Sequence, residues 1–170
     1  MRLLAEIERT SGVGRKGAIV RRDAVRAIVR QGEQILMVYS TKHGDYHFPG
    51  GGVSFGETHL EALARELKEE CGAKLVVVHG SFGKVVEYDY AKEAYFDLFC
   101  MTSYYYFCSI GPELGQLELE DYEVALGLEP CWVTVEEALR ANKALLANGA
   151  PPWTRRETLV LELLTKAAPA

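Results

Sequence analysis

GGVSFGETHLEALARELKEECGA, residues 51–73, places a glycine run and a turn ahead of a segment that carries helix-end signals and a dense group of carboxylates. Thr58 with Glu61 three residues later makes a capping box, and Gly72 supplies a stop, so the spacing predicts a helix from Thr58 to Gly72. At about 100° per residue, Glu66, Glu69 and Glu70 project within an arc of roughly 100°. Leu60, Leu63, Ala64, Leu67 and Cys71 fall on a stripe about 120° away, which can dock on a sheet and fix where the acidic face points. Like charges one turn apart repel. Arg65, one turn from both Glu61 and Glu69, neutralises part of that repulsion, and a hard divalent cation such as Mg2+ would turn the rest into attraction. The bland alternative is a solvated acidic face, which is common on surface helices.

Ahead of this segment, residues 24–30 and 35–39 are short, rich in β-branched residues and separated by the turn-like QGEQ, so they predict a hairpin. HGDYHFPGGG reads as loop, because proline followed by three glycines cannot continue regular structure and lets the backbone approach a neighbour closely. Residues 75–78, 84–90 and the apolar run 95–108 predict further strands, the last one buried on both faces. GQLELEDYE, residues 115–123, predicts a loop, and 124–133 a closing strand. Thr134 and Glu137 cap a second helix, and Pro151 and Pro152 lead into a final amphipathic helix from Thr154 to about Ala167. The sequence shows no internal repeat.

The chain has 170 residues, 48% hydrophobic and 25% charged, as expected of a single domain, 1–170, with one sizeable core. Its net charge of -5 repels polyanions, so the expected partners include neither a nucleic acid polymer nor a membrane surface, and a phosphate substrate needs a cation in between. Cys71, Cys100, Cys108 and Cys131 form no CxxC pair, and three of them sit inside apolar runs and read as small buried hydrophobes, as in a reducing cytoplasm. No stretch approaches the roughly 20 apolar residues of a membrane span, and the chain reads as soluble and unprocessed.

Gly51, Glu57, Arg65, Glu66, Leu67, Glu69, Glu70 and Gly72 fit, at every spacing, the signature of the Nudix family; only the aliphatic position after Gly72 departs, being Ala73. The chain therefore resembles Nudix (MutT-like) hydrolases from about Ala24 to Leu139, with FPGGG and CWVTVEEAL (131–139) as flanking matches. The resemblance implies an α/β fold, an α/β/α sandwich around a mixed twisted β-sheet. It also implies hydrolysis of a nucleoside diphosphate derivative with Mg2+ or Mn2+, the metal held by Glu66, Glu69, Glu70 and the Gly51 carbonyl. Glu69 is the first choice to accept a proton from the attacking water, with Arg65 and Glu57 supporting it. Among the loop carboxylates Glu118, Glu120, Asp121 and Glu123, the expected alternative base is Glu120.

Tyr90, His59 and Tyr46 are the candidate substrate contacts, the alternatives being an ordinary strand aromatic for Tyr90 and a ring in solvent for His59. His43 and His47 flank the glycine loop, but no partner sits at zinc-site spacing, so His47 is expected to pack or hydrogen-bond locally. Tyr104, Tyr105 and Tyr106 read as core by default. Within the family, a proline about fifteen residues after the signature marks sugar-linked nucleotides and a tyrosine at about seventeen marks dinucleoside polyphosphates. Here no proline follows until Pro112, while Tyr88 and Tyr90 lie in the second window. Nucleoside triphosphates or dinucleoside polyphosphates thus rank above ADP-ribose, and the coenzyme A signature is missing before FPGG. A catalytically silent nucleotide-binding module of the same fold is the rival reading. Oligomeric state is open, a homodimer included.

Overall fold

A computed structural model describes residues 1–167. In chain order its elements are β1 (Leu3–Glu8), β2 (Ile19–Gln31), β3 (Gln34–Ser40), β4 (Tyr46–His47), α1 (His59–Cys71), β5 (Ala73–Tyr90), β6 (Leu98–Leu114), α2 (Asp121–Leu126), β7 (Leu128–Thr134), α3 (Val135–Leu146) and α4 (Thr154–Lys166). The strands form one mixed sheet in the order β1-β5-β6-β2-β3-β4, with β7 paired to β3. β1 runs parallel to β5 and β2 parallel to β6, while β5 and β6 are antiparallel. β2 and β3 meet only at the predicted hairpin, through Arg30↔Ile35 and Gln31↔Gln34.

Each face of the sheet carries its own core. Val25, Ala27, Leu36 and Val38 point to α1 and pack on Ala62, Leu63, Leu67 and Cys71. Ile28, Met37, Val85 and Tyr105 point the other way and pack on Val160, Leu161 and Leu164 of α4 and Ala138 of α3. Alternation along each strand produces this division, and it yields the α/β/α layering the sequence implied.

The local end signals are realised. Thr58 and Glu61 form the capping box of α1, Gly72 closes it in the left-handed conformation, and Thr134 with Glu137 caps α3 in the same way. The apolar stripe is shifted from expectation, because Leu60 and Ala64 are exposed; the buried side is Ala62, Leu63, Glu66, Leu67, Glu70 and Cys71.

Five sequence readings are corrected. β1 lies where no strand was read, and β2 begins at Ile19 rather than Ala24. The expected strands 75–78 and 84–90 are one long strand, β5, that crosses register shifts around Gly80 and Gly83. Residues 121–126 form α2, so the closing strand begins only at Leu128. Tyr46–His47 is a short strand on β3 inside the supposed loop. Among the described residues no helix is long and apolar enough to cross a membrane.

Candidate active site

The segment after β4 runs antiparallel along the edge of β2 that β6 leaves free: Ala27 donates its amide to the Pro49 carbonyl (2.8 Å) and Val25 to the Gly51 carbonyl (2.9 Å), and Val53 donates to Asp23 (2.9 Å). Gly50 sits at φ 135°, and a Cβ there would collide with the Val25 carbonyl, so the close approach needs glycine. A Cβ on Gly51 would lie 2.5 Å from the Glu66 carboxylate. The glycines thus bring backbone against the carboxylates of α1.

Glu66, Glu70 and Glu123 are all buried and place one carboxylate oxygen each within 4.8 Å of the others. The Gly50 amide donates to Glu70 Oε2 at 2.6 Å. Glu123 is held by the Tyr122 hydroxyl (2.8 Å) and by the Glu120 amide (2.9 Å). Burial pushes the Glu70 carboxyl up to about 8 and also raises Glu66, the latter opposed by Arg65. Three converging buried carboxyls form an all-oxygen donor set, which a hard divalent cation fits.

Arg65 caps the solvent side of this group. It pairs with both oxygens of Glu57 (2.9 and 3.0 Å), with Glu66 Oε1 (2.7 Å), with Glu69 Oε2 (3.0 Å) and with the Gly52 carbonyl (2.9 Å). Its hydrogen bonds, with one from the Ser54 amide, pull the Glu57 carboxyl down to about 2. Glu61 turns to Thr58 instead of Arg65. On the inner side Arg26 donates to the Phe48 and Gly50 carbonyls. A cavity of about 300 Å³ opens beside the cluster, lined on the α4 side of the sheet by residues that include Arg26, His47, Met101, Trp153 and Arg156, with Gly50, Glu70 and Glu123 at its edge.

The placements differ from the sequence expectations at several residues. Glu69 is only half-buried and turned to Arg65, outside the cluster of Glu66, Glu70 and Glu123. The loop carboxylate that reaches the cluster is Glu123; Glu120 is exposed at the entry of α2, and Glu118 pairs with Lys68. The Gly51 carbonyl is engaged by Val25. Tyr90 is exposed at the end of β5, on the strand side opposite Glu87, and does not line the cavity. His59 is held on β6 by the Tyr106 hydroxyl (2.7 Å) and by the Tyr104 ring (4.5 Å), and Tyr46 stacks near Tyr39 while its backbone pairs with Asn142. Neither lines the cavity. Tyr105 is buried, as read. Sequence reasoning missed Arg26, Trp153 and Arg156; only the basic-aromatic run after Pro152 hinted at the last two.

The family model of the NUDIX domain matches residues 20–156. The chain belongs to the Nudix family. An RNA pyrophosphohydrolase of Sulfurovum sp. is 33% identical over 95 residues, covering 54% of this chain and 60% of that protein. One of Nitratiruptor sp. is 33% identical over 81 residues, covering 46% and 52%. The chain therefore spans a little over half the length of these curated relatives. In architecture it is similar to a NUDIX hydrolase from Nitrosomonas europaea, with TM-score 0.53, 18% identity and coverage of 88% of this chain and 93% of that one. A MutT NUDIX hydrolase from Burkholderia pseudomallei superposes with TM-score 0.51 at 20% identity over 69% and 85%. At these identities the two structures bear on the fold alone.

Proposed function

We propose that this protein hydrolyses a phosphoanhydride bond in a nucleotide, using a divalent cation, Mg2+ or Mn2+, held by Glu66, Glu70 and Glu123. The observation that carries the reading is the convergence of those three buried carboxylates within 4.8 Å at the edge of a cavity. A bound cation would neutralise phosphate oxygens and make a coordinated water more acidic. The chain's own residues do the rest. Gly50 fixes Glu70, Glu120 and Tyr122 fix Glu123, and Arg65, itself anchored by Glu57, fixes Glu66. In this reading Glu69, half-buried beside Arg65, takes the proton of an attacking water.

The whole chain acts as one catalytic domain in this reading. Nucleoside triphosphates and dinucleoside polyphosphates rank above ADP-ribose on the residues after the signature. The names of the Sulfurovum and Nitratiruptor relatives add the 5′ end of an RNA as a source of the same bond, while the net charge of -5 disfavours grip on a long polyanion. The test is release of phosphate or pyrophosphate from a panel of nucleoside triphosphates, dinucleoside polyphosphates, ADP-ribose and 5′-triphosphorylated RNA, with and without Mg2+ or Mn2+. Cation-dependent release is expected, and no release from any member overturns the reading.

A further inference from the structure

β1 and the turn after it lie ahead of residue 20, where the match to the family domain begins, yet they put a side chain into the cavity. β1 pairs with β5 in the register Ile7↔Glu87 and Glu8↔Tyr88; beyond its end the Arg9 amide donates to the Tyr88 carbonyl at 2.9 Å and the Thr10 hydroxyl to Asp89 at 2.8 Å. That pairing lays Arg9 against Glu87. Its Nε and Nη2 donate to the two Glu87 oxygens at 3.0 and 3.1 Å, which fixes the guanidinium and leaves Nη1 as the nitrogen that Glu87 does not engage. The same guanidinium lies over the Phe99 ring, 5.5 Å from its centroid, and that of Arg22 on β2 lies over this ring at 6.0 Å. Both arginines line the cavity.

The charges of the lining are unevenly answered. Arg9, Arg22, Arg26 and Arg156 stand there against Asp23, Glu70 and Glu123. Glu70 and Glu123 belong to the acidic cluster. Asp23 points with Val25 to the α1 side of the sheet, where the Tyr104 hydroxyl bonds it. Arg156 is committed to Glu87 and Glu157, and Arg26 to the Phe48 and Gly50 carbonyls. Among the described residues the carboxylate paired with Arg22 is Glu93, at 3.3 Å with both side chains exposed, a pair of little net worth. Two guanidiniums held on one ring repel, and an anion between them turns that repulsion into attraction. Their forked N–H donors match phosphate oxygens.

We propose that Arg9 and Arg22 form an anion subsite on the Phe99 ring that takes a second phosphate of the substrate, one that the cation does not hold. The inference rests on the hydrolase reading above and narrows the substrate to nucleotides that carry such a group. Position along β2 separates the two phosphates. Arg26 donates to the carbonyl of Gly50, whose amide fixes Glu70, and Ala24 pairs with Gly52. Arg22 leaves the strand four residues before Arg26, roughly 13 Å back at about 3.3 Å per residue. A phosphate held there stands apart from one on the acidic cluster. Glu87 fixes Arg9 before any ligand arrives, which spares part of the ordering cost of binding. Because Arg9 comes from ahead of the family domain, the subsite belongs to this chain rather than to the shared domain. Two sources supply the chemistry: the phosphodiester after the first nucleoside of a 5′-triphosphorylated oligonucleotide, and the far end of the phosphate chain in a dinucleoside polyphosphate.

Two measurements test the proposal on the full chain. In turnover, Arg22→Gln should lower kcat/KM about tenfold or more, through KM, for a 5′-triphosphorylated dinucleotide or a dinucleoside tetraphosphate relative to a nucleoside triphosphate, with Arg22→Lys intermediate. A loss on the dinucleotide names the phosphodiester, and a loss on the tetraphosphate names the phosphate chain. In binding, calorimetry with inorganic pyrophosphate and no divalent cation should show saturable association, about tenfold weaker in Arg22→Gln and in Arg9→Lys, the latter keeping a positive charge on Glu87. Without a cation the acidic cluster repels this probe, so the arginines are what its binding reports. A folded Arg22→Gln that lowers all three substrates equally, or none of them, overturns the proposal, as does pyrophosphate that fails to bind or binds both variants as it binds wild type. Failure of every nucleotide to turn over removes the hydrolase reading instead, and the pyrophosphate titration still decides whether the subsite exists.

Discussion

Glu120 and Glu123 stand three residues apart, yet one is exposed at the entry of α2 and the other is buried against Glu66 and Glu70. The difference is the single turn of α2, which swings Glu123 inward and leaves the Glu120 amide as its anchor. Among the carboxylates of α1, Glu70→Gln should lower turnover by about a hundredfold or more with the fold intact, since a ligand charge is lost from a buried oxygen set. Lys68→Ala, which breaks only an exposed pair to Glu118 at 2.9 Å, should leave turnover and stability within experimental error. Steady-state rates of both variants check the contrast. Glu57 gives a pH prediction. Its carboxyl falls from the usual 4.5 to about 2 because Arg65 and the Ser54 amide bond its charged form. A depressed acid contributes stability above its unfolded pKa and loses it as pH drops toward the folded one. The melting temperature of wild type should therefore exceed that of Glu57→Gln by a constant margin above about pH 4.5, and the margin should close as pH falls toward 2. The signature residues Gly51, Glu57, Arg65, Glu66, Glu69 and Glu70 were legible because their spacing lies within one helix and its approach. Arg26 was not, and Glu123 could not be told from Glu120, because their positions depend on strand pairing and on the fold of α2.

Helix ends and strand ends were unequally readable for the same physical reason. A capping box is closed by side chains three residues apart, so Thr58–Glu61 and Thr134–Glu137 could be read and were found in place. β1 is stabilised by pairing with β5, eighty residues on in the register Glu6↔Val86, and nothing in LLAEIE announces that partner. β5 looks like two strands because Gly80 and Gly83 interrupt its apolar pattern, and only the antiparallel ladder to β6 carries it across. The start of α1 sets the approach to Glu66, Glu69 and Glu70. Thr58→Ala removes both the Thr58 acceptor for the Glu61 amide and the hydroxyl bond to Glu61 at 2.7 Å. It should cost about 1 kcal/mol, lowering the melting temperature by a few degrees, with kcat little changed because Arg65 remains anchored by Glu57 rather than by Glu61. A drop in kcat as large as that of Glu70→Gln would show that the cap, not Arg65, positions the cluster.

Across the molecule, a buried ionic network on the α4 face of the sheet passes close to the site. Glu87 of β5 accepts from Arg9 beyond β1 and from Arg156 of α4; Arg156 also binds Glu157, whose other oxygen accepts from the Phe48 amide at 3.2 Å. Phe48 begins the glycine segment, so α4 reaches the acidic cluster through Glu157, Phe48 and Gly50. Glu87, Glu157 and Arg156 are at most 1% exposed, and the Arg156 and Arg9 charges hold the Glu87 carboxyl down despite the burial that opposes them. Removing one member of such a network strands the opposite charge, which costs about 3–5 kcal/mol, whereas an exposed pair is worth about 0–1. Lys143–Glu162, at 2.7 Å between α3 and α4, is the exposed comparison. Glu87→Ala should therefore lower the melting temperature by roughly 10 °C, while Lys143→Ala shifts it by a degree or two. Because Arg156 then loses the partner that orients it toward Glu157, the hold on Phe48 should loosen as well, and Glu87→Ala should lose turnover at temperatures where it is still folded by circular dichroism. Full turnover in a folded Glu87→Ala would mean that the network serves the cores alone, and that the glycine segment is placed by Arg26 and by its pairing with β2.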